Sequence, residues 1–122
     1  MMWEKMSRDT AKLLETLVQP FACQKKPMFG YDVYWVNGNM FIGIFQSSIF
    51  FRLSPQDRKE FLEKYEDARL FEPMEGRLMK EYVVVPDSVL EDKDAVGEWM
   101  SRSFEYTKSL PEKEAKTKMV KK

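Results

Sequence analysis

Asn37-Gly38, standing between two runs of β-branched and aromatic residues, is the feature that most constrains this chain. Both central positions of a type I′ turn need positive φ, which Asn and Gly adopt at little cost, so the pair predicts a tight antiparallel hairpin. With these two as the loop, Val36 faces Asn39, Trp35 faces Met40, Tyr34 faces Phe41 and Val33 faces Ile42. A second turn at Ser47-Ser48 would place Phe45 beside Phe50 and Ile44 beside Phe51, making Met28 to Leu53 a three-stranded meander.

Side chains alternate along a strand, so this register sorts the meander into two surfaces. Tyr31, Val33, Trp35, Met40, Ile42, Ile44, Ile49, Phe51 and Leu53 fall on the first, which is apolar and is the expected core face. The second carries Asp32, Tyr34, Phe41, Gly43, Phe45, Phe50 and Arg52. Helices covering only the first surface would leave four aromatics exposed beside a charged pair, and contiguous apolar surface rimmed by polar groups commonly marks an interface. Tyr34, Phe41, Phe45, Phe50, Asp32 and Arg52 are therefore the candidate interaction face, with Gly43 leaving room for Asp32 and Arg52 to approach one another. The competing reading is that the N-terminal residues or the last helix cover that face.

The rest of the chain supplies the covering layer. Thr10, Leu13, Leu14, Leu17, Val18 and Phe21 follow one helical face, predicting a first helix over roughly Ser7 to Gln19 that Pro20 ends. Residues 24 to 29 read as a lead-in strand, with Gly30 permitting a bend. Ser54-Pro55 starts a second helix, cap followed by proline at the first helical position, which runs to about Asp67 and buries Phe61, Leu62 and Tyr65. Two strands, 68 to 74 and 79 to 85, flank a Glu75-Gly76 turn. A last helix from Asp92 or Asp94 presents Val96, Trp99, Met100, Ser103 and Phe104. The expected fold is a two-layer α+β domain, order α-β(3)-α-β(2)-α, with an antiparallel sheet and helices packed on one face. Residues 1–110 are expected to form the single domain, and 111–122, rich in lysine, a disordered tail.

Chemistry is harder to find than architecture. The chain has no His, one Cys, no Gly-rich phosphate loop and no metal-ligand spacing, which argues against an enzyme and calls for no cofactor or metal. Cys23 cannot form an intrachain disulfide, which suits a reducing cytoplasm, and reads as a small hydrophobe. Residues 33 to 51 carry no charge, but turn residues interrupt them, so no membrane span is expected. Twenty basic and twenty acidic residues cancel, leaving no global field to attract nucleic acid. A nucleic-acid partner would have to use Lys25, Lys26, Arg52, Arg77, Lys80 and the tail. The favoured partner is another protein, with a second copy of the chain included in that class.

Met28-Phe29-Gly30 leading into Asn37-Gly38 and Met40-Phe41, then Val85-Pro86, Val89-Leu90 and Trp99, resembles the N-terminal domain of the competence regulator TfoX, also called Sxy. The likeness spans roughly residues 8 to 108. It implies an α+β domain similar to secretion-chaperone-like folds, a regulatory rather than catalytic role, and no catalytic motif to carry over. Tyr31 stands where family members often have a second glycine. Full regulators also carry a separate C-terminal domain, so the expectation here is a stand-alone N-terminal domain.

Overall fold

The computed structural model describes residues 8–28 and 30–111. Asn37 and Gly38 both take positive φ, 54° and 76°, and close the expected turn between β2 (Val33–Val36) and β3 (Asn39–Phe45). Next comes β4 (Ser48–Arg52), while β1 (Gln24–Lys25) precedes the hairpin and pairs along β2. The lead-in segment is thus a separate edge strand, turned back through Gly30, whose φ is 81°. A chain crossover through α2 (Pro55–Lys64) leads to β5 (Arg69–Met74) and β6 (Arg77–Val84). All neighbours run antiparallel in the order β1-β2-β3-β4-β6-β5, so β6 returns between β4 and the outer edge.

The helix boundaries follow local chemistry. Helix α1 (Arg8–Val18) stops ahead of Pro20; the expected cap, Ser7, lies outside the described residues. Ser54 caps α2, its side chain accepting from the Asp57 amide at 3.2 Å, with Pro55 at the first helical position. Asp92 does the same for α4 (Lys93–Ser109), accepting from the Ala95 amide. A short α3 (Asp87–Leu90), absent from the expected order, fills the link after Pro86. One large cluster joins Leu14, Phe61, Val89, Val96, Trp99 and Met100 of the helices to Phe41, Ile44, Ile49, Phe51 and Val83 of the sheet. Across its outer edge, Arg102 binds Asp57, Glu60 and Glu98 and lies 4.5 Å from the centre of the Trp99 ring, fastening α4 to α2.

Two register findings correct the sequence reading. The β2–β3 pairing passes from Trp35 opposite Met40 to Tyr34 opposite Ile42, so Phe41 is an extra residue, a β-bulge. Phe41 and Ile42 consequently both join the helix-side core, and every β2 residue before the bulge has the opposite face from that expected. Tyr34 and Val36 lie under the helices, whereas Val33, Trp35 and Met40 lie on the far face. The second turn is Gln46-Ser47, with Gln46 at φ 58° and Phe45 opposite Ser48. That shifts the β3–β4 pairing by two residues, an even number, so Ile49 and Phe51 keep the core face that the wrong turn assigned them.

Gly43 lies against Phe50 and Val33 of the far-face cluster. A Cβ there would lie 2.9 Å from both Phe50 Cζ and Val33 Cγ2 and 3.3 Å from the Asp32 carbonyl oxygen. Gly43→Ala is expected to lower stability by about 1–3 kcal/mol through this overpacking, read as a lower urea midpoint; an unchanged midpoint would contradict the packing described.

Candidate interaction face

The far face of the sheet is built from Val33, Met40, Phe50, Phe71, Tyr82 and Val84, all buried although no helix of the core cluster reaches them. Their cover is the β5–β6 hairpin. Between Leu70 opposite Val83 and Phe71 opposite Met79 the register slips, leaving extra residues on β6. Phe71 stacks on Phe50, ring centres 4.1 Å apart and planes within 12° of parallel, and meets Phe45 edge-on at 5.6 Å. Tyr82 also meets Phe50 edge-on, and its hydroxyl donates to the Met40 carbonyl at 3.2 Å. The cover expected from the N-terminal residues or the last helix is divided: Phe21 and, from α4, Phe104 pack on Phe41, whereas Phe45 and Phe50 are covered by this hairpin.

The six residues expected to share an interaction face divide between the two sides. Tyr34 and Phe41 are buried in the helix-side core, a consequence of the bulge. Phe45, Phe50 and Arg52 do lie on the far face, but Phe50 is fully buried and Phe45 half-buried against Tyr31 and Phe71. Asp32 and Arg52 do not pair. Lys25 approaches Asp32 at 3.8 Å, while Arg52 donates through Nε to Glu81 Oε1 at 2.8 Å, with Nη2 at the same distance in the ion pair, and lies over the Tyr82 ring. Phe29 lies outside the described residues.

What remains open on this face is a methionine-lined surface that the sequence reading did not single out. A shallow cleft of about 400 Å³ runs between Trp35 and Met40 on one side and Met79 and Tyr82 on the other, with Met28 at its end. A second, of about 470 Å³, continues past Met28 and Met79 to Pro73, Met74 and Leu78 at the hairpin tip. Among the described residues the large hydrophobics most open to solvent are Met74 at 57%, Leu78 at 43% and Leu13 at 37%, so two of the three crown this tip. The available signal was Met74 and Leu78 flanking Glu75-Gly76: apolar residues beside a tight turn have nothing behind them to pack on. The tip is held in shape by its own chemistry, since Gly76 takes φ 83° and donates its amide to Glu72 Oε2 at 2.8 Å.

Tyr82 and Arg52 of the face are committed to structure. Burial pushes the Tyr82 hydroxyl up to about 12, with Arg52 pulling in the other direction. Burial also raises the Cys23 thiol on the helix-side margin, where Sγ donates to the Phe21 carbonyl. Among the described residues no three His, Cys, Asp or Glu side chains gather to hold a metal, and no helix is long and apolar enough to cross a membrane.

An open antiparallel sheet with helices on one face and its own hairpin folded over the other defines an α+β domain. The chain belongs to the TfoX N-terminal domain family, whose model matches residues 15–106. No curated protein matches it.

The Tyr82 geometry has a pH consequence. The unfolded chain, its tyrosines near the ordinary value of 10, gives up the proton before the folded chain does, so the Tyr82 contribution is intact below pH 10 and is lost as pH rises from about 10 to about 12. Tyr82→Phe is expected to cost about 1 kcal/mol at neutral pH through the lost hydrogen bond and to flatten the alkaline fall in stability. Urea midpoints measured across that range check this; an identical alkaline slope in the variant would contradict it.

Proposed function

We propose that this domain is a non-enzymatic regulatory module that works by binding another protein through the far face of its sheet. The observation that carries this reading is the placement of Met74, Leu78, Met79 and Met28 as one open apolar surface on a face that the chain otherwise seals for itself. A folded domain gains nothing in stability from leaving such residues in water, whereas a docking surface requires them. The titratable groups nearby support a binding rather than a catalytic role: Arg52 is held by Glu81, Asp32 lies beside Lys25, and Tyr82 keeps its proton far above neutral pH. A nucleic-acid partner is less well supported, because Lys25 and Arg52, two of the basic residues it would use, are engaged in those ion pairs.

The test is affinity capture from cell extract with the native chain and with a Met74→Glu/Leu78→Glu double variant. Both positions are exposed, so the substitutions are expected to change stability by no more than about 0.5 kcal/mol each. The proposal expects a protein retained in near-stoichiometric amount by the native chain and lost with the variant. Retention of the same proteins by both chains, or of none by either, would contradict it.

A further inference from the structure

The two clefts share Met28 and Met79 as lining, so they adjoin and together make a groove with Trp35 and Met40 bordering one part and Met74 and Leu78 the other. Four methionines border it, Met74 exposed, Met28 and Met79 half-buried and Met40 buried at its base. Their unbranched, polarisable side chains re-pack around apolar groups of different shapes, which suits the side chains of a peptide better than a single rigid small molecule. The charged residues of the groove are Arg52, Lys80, Glu81 and Arg77. Arg52 and Glu81 neutralise each other in their ion pair. That leaves Arg77 and Lys80, both exposed and without an ion pair among the described residues, as a basic rim on a chain whose formal charge is zero.

We infer that the groove takes an apolar peptide segment flanked by acidic residues, supplied by a different protein. This inference rests on the interaction-module reading and names the chemistry of its partner. Apolar side chains of the segment occupy the methionine-lined floor, and its carboxylates lie against Arg77 and Lys80. The lysine-rich stretch 111–122 carries the wrong charge for that rim. The N-terminal residues lead into α1, which packs on the opposite side of the sheet. A second copy would bring two basic rims to one apolar contact, since a two-fold interface uses the same patch from both subunits.

Two labelled synthetic peptides with the same Leu and Phe residues, one with Glu flanks and one with Lys flanks, test this by fluorescence anisotropy against the full chain. The Glu-flanked peptide is expected to bind at micromolar concentration, the Lys-flanked one at least about tenfold more weakly. Arg77→Glu with Lys80→Glu should reverse that preference, Met74→Glu with Leu78→Glu should abolish binding of both peptides, and raising salt from about 50 to about 500 mM should weaken the favoured one. Equal binding of both peptides, lost in the Met74/Leu78 variant, would overturn the charge inference and leave the interaction reading standing. A native chain of dimer mass by light scattering that this variant splits into folded monomers would make a second copy the occupant, with the same consequence. Failure of a monomeric chain to bind either peptide would overturn the inference, and with no captured protein that depends on the groove it would overturn the interaction reading too.

Discussion

The extra residue at Phe41 governs which side chains this domain hides and which it leaves outside. A strand with strict alternation would send Phe41 and Ile42 to opposite faces; the bulge sends both into the helix-side core and so inverts the strand partner beyond it. Tyr34 and Val36 thereby lie under the helices, and Val33, Trp35 and Met40 are displaced to the far side. There they join Phe50 from β4, which makes both faces of the central strands apolar. An antiparallel sheet of this kind cannot leave one face in water, and a second cover becomes a requirement of the fold.

The β5–β6 hairpin meets that requirement, and the way it does so creates the groove. Its register slips bring Phe71 over Phe50 and Tyr82 to the Met40 carbonyl, sealing the middle of the sheet. The turn at Glu75-Gly76 then carries Met74 and Leu78 beyond the residues they could have packed on. The same hairpin supplies the structural cover and the surface proposed to bind, so the stability of the far face and the presentation of the docking groove are properties of one element. Arg52 shows the same economy: it lies over Tyr82 and holds Glu81, and in doing so leaves the groove's rim to Arg77 and Lys80.

Most of the architecture was legible because it rests on local chemistry. Asn37-Gly38, Gly30, Glu75-Gly76, Ser54-Pro55 and Asp92 each do what their side chains or their freedom at positive φ dictate, and Trp99, Met100 and Val96 follow the helical period into the core. The bulge was not legible, because nothing in Met40-Phe41-Ile42 distinguishes an extra residue from a paired one; all three are apolar and each suits either face. The Gln46-Ser47 turn was misplaced by one residue, yet the even shift it caused in pairing preserved the faces of β4. Tyr34 and Phe41, two of the six residues of the expected interaction face, were lost to the bulge for the same reason, and the groove went unrecognised because it depends on slips between β5 and β6 that bring distant methionines together.

The central claim is that the far face is sealed by the chain's own hairpin except along the methionine groove. Limited peroxide oxidation of the folded native chain, followed by peptide mass spectrometry, tests it at individual methionines, because oxidation tracks access to sulfur. Among the methionines of the described residues, Met74 is expected to oxidise first, the half-buried Met28 and Met79 more slowly, and Met40 and Met100, 5% and 1% exposed, only when the chain unfolds. Oxidation of Met40 as fast as Met74 in the folded protein would mean that the hairpin does not cover the sheet, and the account would fail at its foundation.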